Sequence, residues 1–431
     1  MALSAAATLA ASEPARARGA RYWVPFLGLL LFTAVLPIEN VFSLPLLGSL
    51  GRITGLLLLV LALPTFVARG RFVLRSPPVT LAFLGAFTLW ALASLLWSHD
   101  PPRTVAYATT IVQLFLLATI LWQLCRTPAE RLLVMQAYVV GACVAVGSAV
   151  ANLIAGREAV FGRFSAPGTD PNDFALMVVL AVPMAWEVAA RATYRGAALN
   201  LLFLPAAALA VVISGSRGGA IALAVALLVV PFGLRLLPRR RRRMLVAILL
   251  GALALLPFLW PQLAASVGRN VQRLMSTATD SLSGSLNVRD VIWAAGLDLI
   301  QGSPLLGVGG GAFASALETA TGMAEVAHNT MLSVTVELGI VGFCLLAGAL
   351  LASALPLLAF RGAGALPSLV LLLTWLVGTS ALSWEMRKPT WIVLLLATTI
   401  QPVLLARVPR AATLLGARAP EGEGLAGAPR P

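Results

Sequence analysis

The chain has 431 residues, 59% of them hydrophobic and only 11% charged, with a mean hydropathy of +0.91 and a formal net charge of +14. That composition excludes an ordinary soluble domain and a disordered chain, and it points to a protein that crosses a membrane several times. The three cysteines, Cys125, Cys143 and Cys344, fall in or beside apolar stretches, so neither a disulfide framework nor a CxxC metal pattern exists.

A bilayer core about 30 Å thick needs roughly 20 apolar residues per helical span, and each span must satisfy its own backbone hydrogen bonds. In chain order such stretches lie near residues 22–38, 51–68, 78–97, 104–124, 131–155, 173–190, 197–213, 219–237, 244–263, 329–352, 365–382 and 388–406. The expected fold is therefore all-α: a polytopic integral membrane protein of about twelve transmembrane helices. The first stretch follows basic residues as a signal peptide would, but no small-x-small cleavage site follows it, so it reads as an uncleaved helix. The expected division is an N-terminal arm 1–21, spans one to nine over 22–263, an outer helical region 264–328, spans ten to twelve over 329–406, and a disordered tail 407–431 rich in Gly, Ala and Pro.

Lys and Arg resist translocation and so set orientation. Of 31 basic residues, 21 fall in the termini and in alternate gaps, including the run Arg239 to Arg243, whereas 12 of the 17 acidic residues fall on the other side. Both termini are thus expected in the cytoplasm and 264–328 in the periplasm. The positive charge is a topology signal rather than a nucleic-acid footprint.

Chemistry then has three places to reside on the outer side. The first is GREAVFGRFSAPGTDPND, residues 156–173. A helix entry capped by Asp170, with Pro171 at the first helical position, accounts for its end but leaves Arg163 unexplained between Gly162 and Phe164. The second is SGSRGG, residues 214–219, where the seventh span ends and the eighth begins. Arg217 could snorkel towards headgroups, but its small neighbours let it face a cavity, where guanidinium suits bidentate phosphate binding.

The third is the long region 264–328. NVRDVIWAAGLDLIQG reads as a short amphipathic helix with Ile292, Trp293, Leu297, Leu299 and Ile300 on its apolar side, expected to lie on the membrane surface with Trp293 at headgroup level. Arg289 on this helix either pairs with Asp290 or a lipid, or reaches a ligand. The glycine run PLLGVGGGAF follows no strand and lacks GK[ST], so it supports neither a dinucleotide fold nor a P-loop. A mobile or close-packed loop is its default reading, with backbone contact to a ligand as the alternative.

His328 opens the tenth span and is one of two histidines; His99, beside Asp100 and two prolines, looks ordinary. At a cavity border His328 could be a base or a polar clamp, although a lone histidine is more often structural. Glu337, nine residues on, lies on the opposite helix face and deeper, so structural pairing with an arginine or a cavity is expected for it. One credible histidine without a carboxylate cluster gives no metal site, and GxSxG is absent.

Taken together, FGRFSAPGTDPNDFA, SGSRGG, VRDVIWAAGLDLIQGSPLLGVGGGAF and AHNTMLSVTVELGIVG, in this order over about 160–345, resemble the O-antigen ligase and polymerase superfamily of bacterial envelope glycosyltransferases. The first 150 residues match only as spans. The resemblance implies transfer of a glycan from undecaprenyl diphosphate at the periplasmic face of the inner membrane, with no cofactor, no metal and no nucleic acid. Ligase members use lipid A-core as acceptor; polymerase members extend a second carrier-linked chain. It also implies Arg217, Arg289 and His328 as the catalytic set, and Arg163, Arg217, Arg289 and Asn329 as substrate-binding. Arginines in a low-dielectric cavity would stabilise the departing diphosphate, and a neutral imidazole would orient and deprotonate the acceptor hydroxyl, inverting the anomeric centre. A non-enzymatic lipid-carrier transporter is the competing class, disfavoured by polar residues concentrated on one face and by the absence of an inverted repeat of broken helices.

Overall fold

A computed structural model describes residues 20–44, 48–67, 75–160, 162–191, 194–275, 288–360 and 363–399. Most of the N-terminal arm, the tail and residues 276–287 of the outer region lie outside the described residues. The elements are α1 (Ala20–Val35), a two-stranded hairpin β1 (Ser43–Leu44) and β2 (Gly48–Ser49), α2 (Leu50–Val67), α3 (Val79–Ala93), α4 (Pro101–Leu124), α5 (Pro128–Ile154), α6 (Pro171–Arg191), α7 (Tyr194–Ser214), α8 (Arg217–Leu227), α9 (Val229–Gly233), α10 (Arg239–Met275), α11 (Val288–Gly302), α12 (Phe313–Thr321), α13 (Thr330–Ala359), α14 (Leu366–Thr379) and α15 (Lys388–Thr399). The chain is an all-α polytopic membrane protein, with seven segments among the described residues both long and apolar enough to cross a bilayer and three shorter apolar helices at 22–38, 50–64 and 366–379.

Helix α6 forms the axis. Its sequence is apolar on every face, and 94% of its span is buried by neighbours, as expected of a helix with no polar stripe to show to water. Around it α5, α7, α8 and α14 pack closely. Small residues permit the approach: a Cβ on Gly141 in α5 would sit 1.9 Å from the Ala34 carbonyl oxygen of α1, the close backbone contact typical of membrane helices. At the periphery Leu250, Leu253, Leu256 and Phe258 of α10 remain exposed, as they would against lipid chains.

Polar contacts sort into two ends. At one end, the Tyr22 hydroxyl donates to the Leu124 carbonyl (2.5 Å) and to Glu130. There too Arg131 donates to Glu187, to Ser368 Oγ (2.7 Å) and to the Leu396 carbonyl (3.0 Å), while Arg241 donates to the Ala189 and Ala190 carbonyls. At the other end, Lys388 Nζ reaches Glu39 (2.5 Å), Ser315 Oγ donates to Asp100 (2.6 Å), and Asn270 Nδ2 donates to the Gly162 and Ile213 carbonyls (3.1 and 3.0 Å).

The glycine run acts by close packing. Helix α13 breaks at Gly339 (φ 66°, ψ −172°), and the segment 304–313 docks into the break. Val308 N–H donates to the Val336 carbonyl, Gly309 N–H to Glu337 and Ile340 N–H back to Pro304, each at 2.9 Å. A Cβ on Gly307 would lie 2.4 Å from the Glu337 carbonyl oxygen, and one on Gly339 would lie 2.0 Å from that of Leu305. Only glycine fits such backbone-on-backbone contact at positive φ. The indoles of Trp90 and Trp97 donate to the Leu338 and Leu306 carbonyls (2.9 and 3.0 Å), satisfying further groups freed by the break.

The structural role expected for Glu337, opposite an arginine or a cavity, is filled by backbone. Its buried carboxylate instead accepts the backbone N–H groups of Gly311 and Phe313 from the docked segment, and it has Glu385 as a neighbour. The Glu385 carboxylate accepts from Ser333 Oγ at 3.0 Å, one helical turn before Glu337. The expectation for α11 also changes. Ile292, Val308, Phe313, Leu317 and Val336 form a satellite core against which Trp293, Leu299 and Ile300 pack, so its apolar side faces protein. The Trp293 indole donates to the Ala327 carbonyl at 2.9 Å, and of the five residues expected on the apolar side only Leu297, 56% exposed, points outward.

Candidate functional site

The site is built from two loops pinned together. In the first, Gly162 (φ 73°) turns the chain so that Arg163 N–H bonds the Val160 carbonyl, and Phe164 N–H then bonds Ile213 at the end of α7 (both 3.0 Å). Asp170 Oδ1 caps α6 by accepting from the Asn172 and Asp173 N–H groups (2.8 and 3.4 Å). In the second, Gly215 (φ 57°) reverses the chain between α7 and α8, and its missing Cβ leaves room for Asn270, whose Oδ1 would lie 2.6 Å away. Ser216 caps α8 through Gly219 N–H (3.1 Å). A Cβ on Gly219 would sit 2.6 Å from that of Ala175, so the SGSRGG glycines seat the start of α8 against α6.

These loops enclose a cavity of about 400 Å³ lined by Arg163, Asn172, Ser216, Arg217, Gly218 and Arg289, with Leu176 and the 378–382 turn as its apolar wall. The volume suits a small polar headgroup rather than a whole glycan. Arg217 stands at the first position of α8, where the helix N-terminus adds its own partial positive charge. Arg289 enters from α11, and burial lowers its proton affinity against the opposing charge of Asp170.

Arg163 is more tied down than its sequence context suggests. It is 8% exposed; its Nε donates to the Ser214 carbonyl and one Nη to Asn172 Oδ1, both at 2.7 Å. The same Asn172 Oδ1 accepts from Ser216 Oγ at 3.0 Å. Beside it, Asp173 accepts from the Trp384 indole (2.8 Å) and from Arg387 (2.5 Å), which fastens the 380–387 turn to the entry of α6.

His328 borders this assembly next to Arg289 rather than lining the cavity. Its φ of 49° makes it the one non-glycine residue at positive φ among the described residues, a strained conformation that marks a constrained position. Burial lowers its pKa, and the Arg289 charge lowers it further against Glu325, Asp170 and Asp173, so the imidazole is neutral at pH 7. Asn329 acts locally, its Oδ1 accepting from Met331 and Leu332 N–H (3.0 and 3.1 Å) and so capping α13.

Of the residues the sequence singles out, Arg163, Arg217 and Arg289 share one cavity, and His328 adjoins it. The sequence gives no comparable sign of Asn172, Ser216, Asn270 or the Asp173–Trp384–Arg387 set. Asn172 stands in the PND helix entry, where it is indistinguishable from an ordinary first-turn residue.

Two comparisons bear on identity. No curated protein matches the chain. A family model described as O-antigen ligase matches residues 201–347, a segment that contains Arg217, Arg289, His328 and the docked glycine run but excludes Arg163 and Asn172. Residues 201–347 of this membrane protein are therefore similar to the O-antigen ligase family.

Proposed function

We propose that the protein is an inverting, metal-independent glycosyltransferase that moves a glycan from undecaprenyl diphosphate onto lipid A-core at the periplasmic face of the bacterial inner membrane. In this reading twelve spans place both termini in the cytoplasm. The observation that carries it is the meeting of three arginines in one cavity, two of which, Arg217 and Arg289, fall in the segment that the O-antigen ligase model matches. Guanidinium groups fixed before the substrate arrives favour the charge that grows on a departing diphosphate, and they do so most strongly where water is scarce.

Arg217 at the start of α8 and Arg289 at the start of α11 grip the diphosphate, with Arg163 in the same cavity. A neutral His328 accepts the proton of the acceptor hydroxyl as that oxygen attacks the anomeric carbon. The bond to the carrier phosphate breaks, and the glycan leaves with inverted configuration. Asn329 keeps His328 in place by capping the helix that follows it.

The family match supports an O-antigen ligase/polymerase-like enzyme acting on lipid-linked glycan. Incubating purified protein with labelled carrier-linked glycan, with and without lipid A-core, tests the finer reading. Labelled lipid A-core is the expected product. Elongated carrier-linked chains formed without core would make the protein a polymerase, and no transfer to either acceptor would favour a lipid-carrier transporter.

A further inference from the structure

The hydrogen bonds at Asn172 decide which way its amide faces. Oxygen and nitrogen of an asparagine amide are told apart by their partners, because only the oxygen accepts. Here one atom receives both the Arg163 guanidinium (2.7 Å) and the Ser216 hydroxyl (3.0 Å), so that atom is Oδ1. The Nδ2 group is thereby turned to the other side. Among the described residues it has no protein partner, while the residue itself is part of the cavity wall beside Arg217 and Arg289. A donor pair without a partner at the edge of an arginine-lined cavity is a group waiting for an acceptor.

We propose that Asn172 is a direct ligand-contacting residue, donating through Nδ2 to a phosphate oxygen in this cavity, and that Arg163 and Ser216 set the amide orientation that makes it a donor. The proposal rests on the diphosphate reading above and deepens it by adding a neutral, orientation-fixed donor to the guanidinium pair. The neutral donor has a distinct use. Arg217 and Arg289 attract any anion, whereas a single amide held rigidly by two bonds selects an acceptor at one position. Arg163 then works in part indirectly, its guanidinium acting on the ligand through the asparagine.

Asn172→Asp is the sharp test because it is nearly isosteric. One carboxylate oxygen still accepts from Arg163 and Ser216, while the other replaces the N–H donors with a negative acceptor. Binding of undecaprenyl diphosphate to the full-length protein in nanodiscs would be measured for wild type, Asn172→Asp, Asn172→Ala and Arg217→Ala, with melting temperatures and donor and acceptor KM values in parallel. The expected result is a loss of affinity of at least about 10-fold for Asn172→Asp, a smaller loss for Asn172→Ala, and an increase in donor KM with acceptor KM unchanged. Wild-type affinity in a folded Asn172→Asp protein, while Arg217→Ala binds weakly, overturns the role of Asn172 and leaves the diphosphate reading standing. Should Asn172→Asp fail to fold, undiminished binding by Asn172→Ala overturns it equally. Failure of the wild type to bind the diphosphate carrier at all removes both.

Discussion

Removing the Arg163 side chain separates its structural from its functional work. The residue is buried, and Arg163→Ala deletes two hydrogen bonds of 2.7 Å, to the Ser214 carbonyl and to Asn172 Oδ1. Hydrogen bonds to a charged group contribute about 1.5–3 kcal/mol each, so the loss is about 3–6 kcal/mol. With an unfolding entropy of about 2.1 cal/mol/K per residue, that loss lowers the melting temperature by about 3–7 °C. Ten tryptophans make intrinsic fluorescence in detergent a convenient assay, run beside a transfer assay at a temperature where both proteins are folded. Transfer should also fall, because Asn172 loses one of the two donors that orient it. Arg163→Lys should recover part of the melting temperature and little of the transfer, since an ammonium cannot span both acceptors with a planar fork. A melting temperature within about 1 °C of wild type would refute the structural assignment.

Arg217→Ala and Arg289→Ala should each abolish transfer or reduce it severely while folded protein remains in the membrane, as judged by size-exclusion chromatography; near-normal transfer would remove that arginine from the site. His328→Ala should lower turnover by about 10²–10⁴-fold with donor binding retained. Because burial and Arg289 depress the imidazole pKa, wild-type activity should hold as pH falls through 6.5 and decline only below it; an acid limb at or above pH 6.5 contradicts a neutral base in this environment. Gly339→Ala places a Cβ 2.0 Å from the Leu305 carbonyl oxygen and should reduce the yield of monodisperse protein sharply; a well-behaved variant with wild-type melting would refute the docked-segment account. Burial raises the Glu385 pKa, so the folded state keeps a proton that the unfolded chain loses above about pH 4.5. Stability should therefore fall as pH rises above that value, and Glu385→Gln should flatten the fall in melting temperature; an unchanged slope would assign the dependence elsewhere.

The helices are legible in the sequence because hydropathy is a local property and bilayer thickness imposes a length on it. The SGSRGG and FGR loops are legible too, since an arginine among glycines at a span boundary has few reasons to exist. Other features depend on partners far away in sequence. Nothing near Glu337 announces that backbone amides of Gly311 and Phe313 will serve it in place of a guanidinium. The amphipathic face of α11 predicts burial correctly but not against what, because a protein core and a lipid surface demand the same apolar stripe. Asn172 looks like part of a helix cap, and its orientation exists only once Arg163 and Ser216 converge on one oxygen. Asn329, expected to touch substrate, also holds the first turn of α13, a role to which its position before TMLSV is well suited.

The docking of 304–313 into the break of α13 also orders events in time. Its partners Trp97, Ser98 and Tyr107, and the Trp90 that bonds Leu338 of α13, stand some two hundred residues earlier in the chain, so the early helices gain these contacts only when the late segment arrives. Helix α11, which carries Arg289, leads directly into that segment. A nascent chain therefore holds Arg163 and Arg217 before it can present Arg289, and the anion cavity is completed only by the same non-local step that closes the bundle. Closure of the bundle and completion of the arginine-lined cavity become one event.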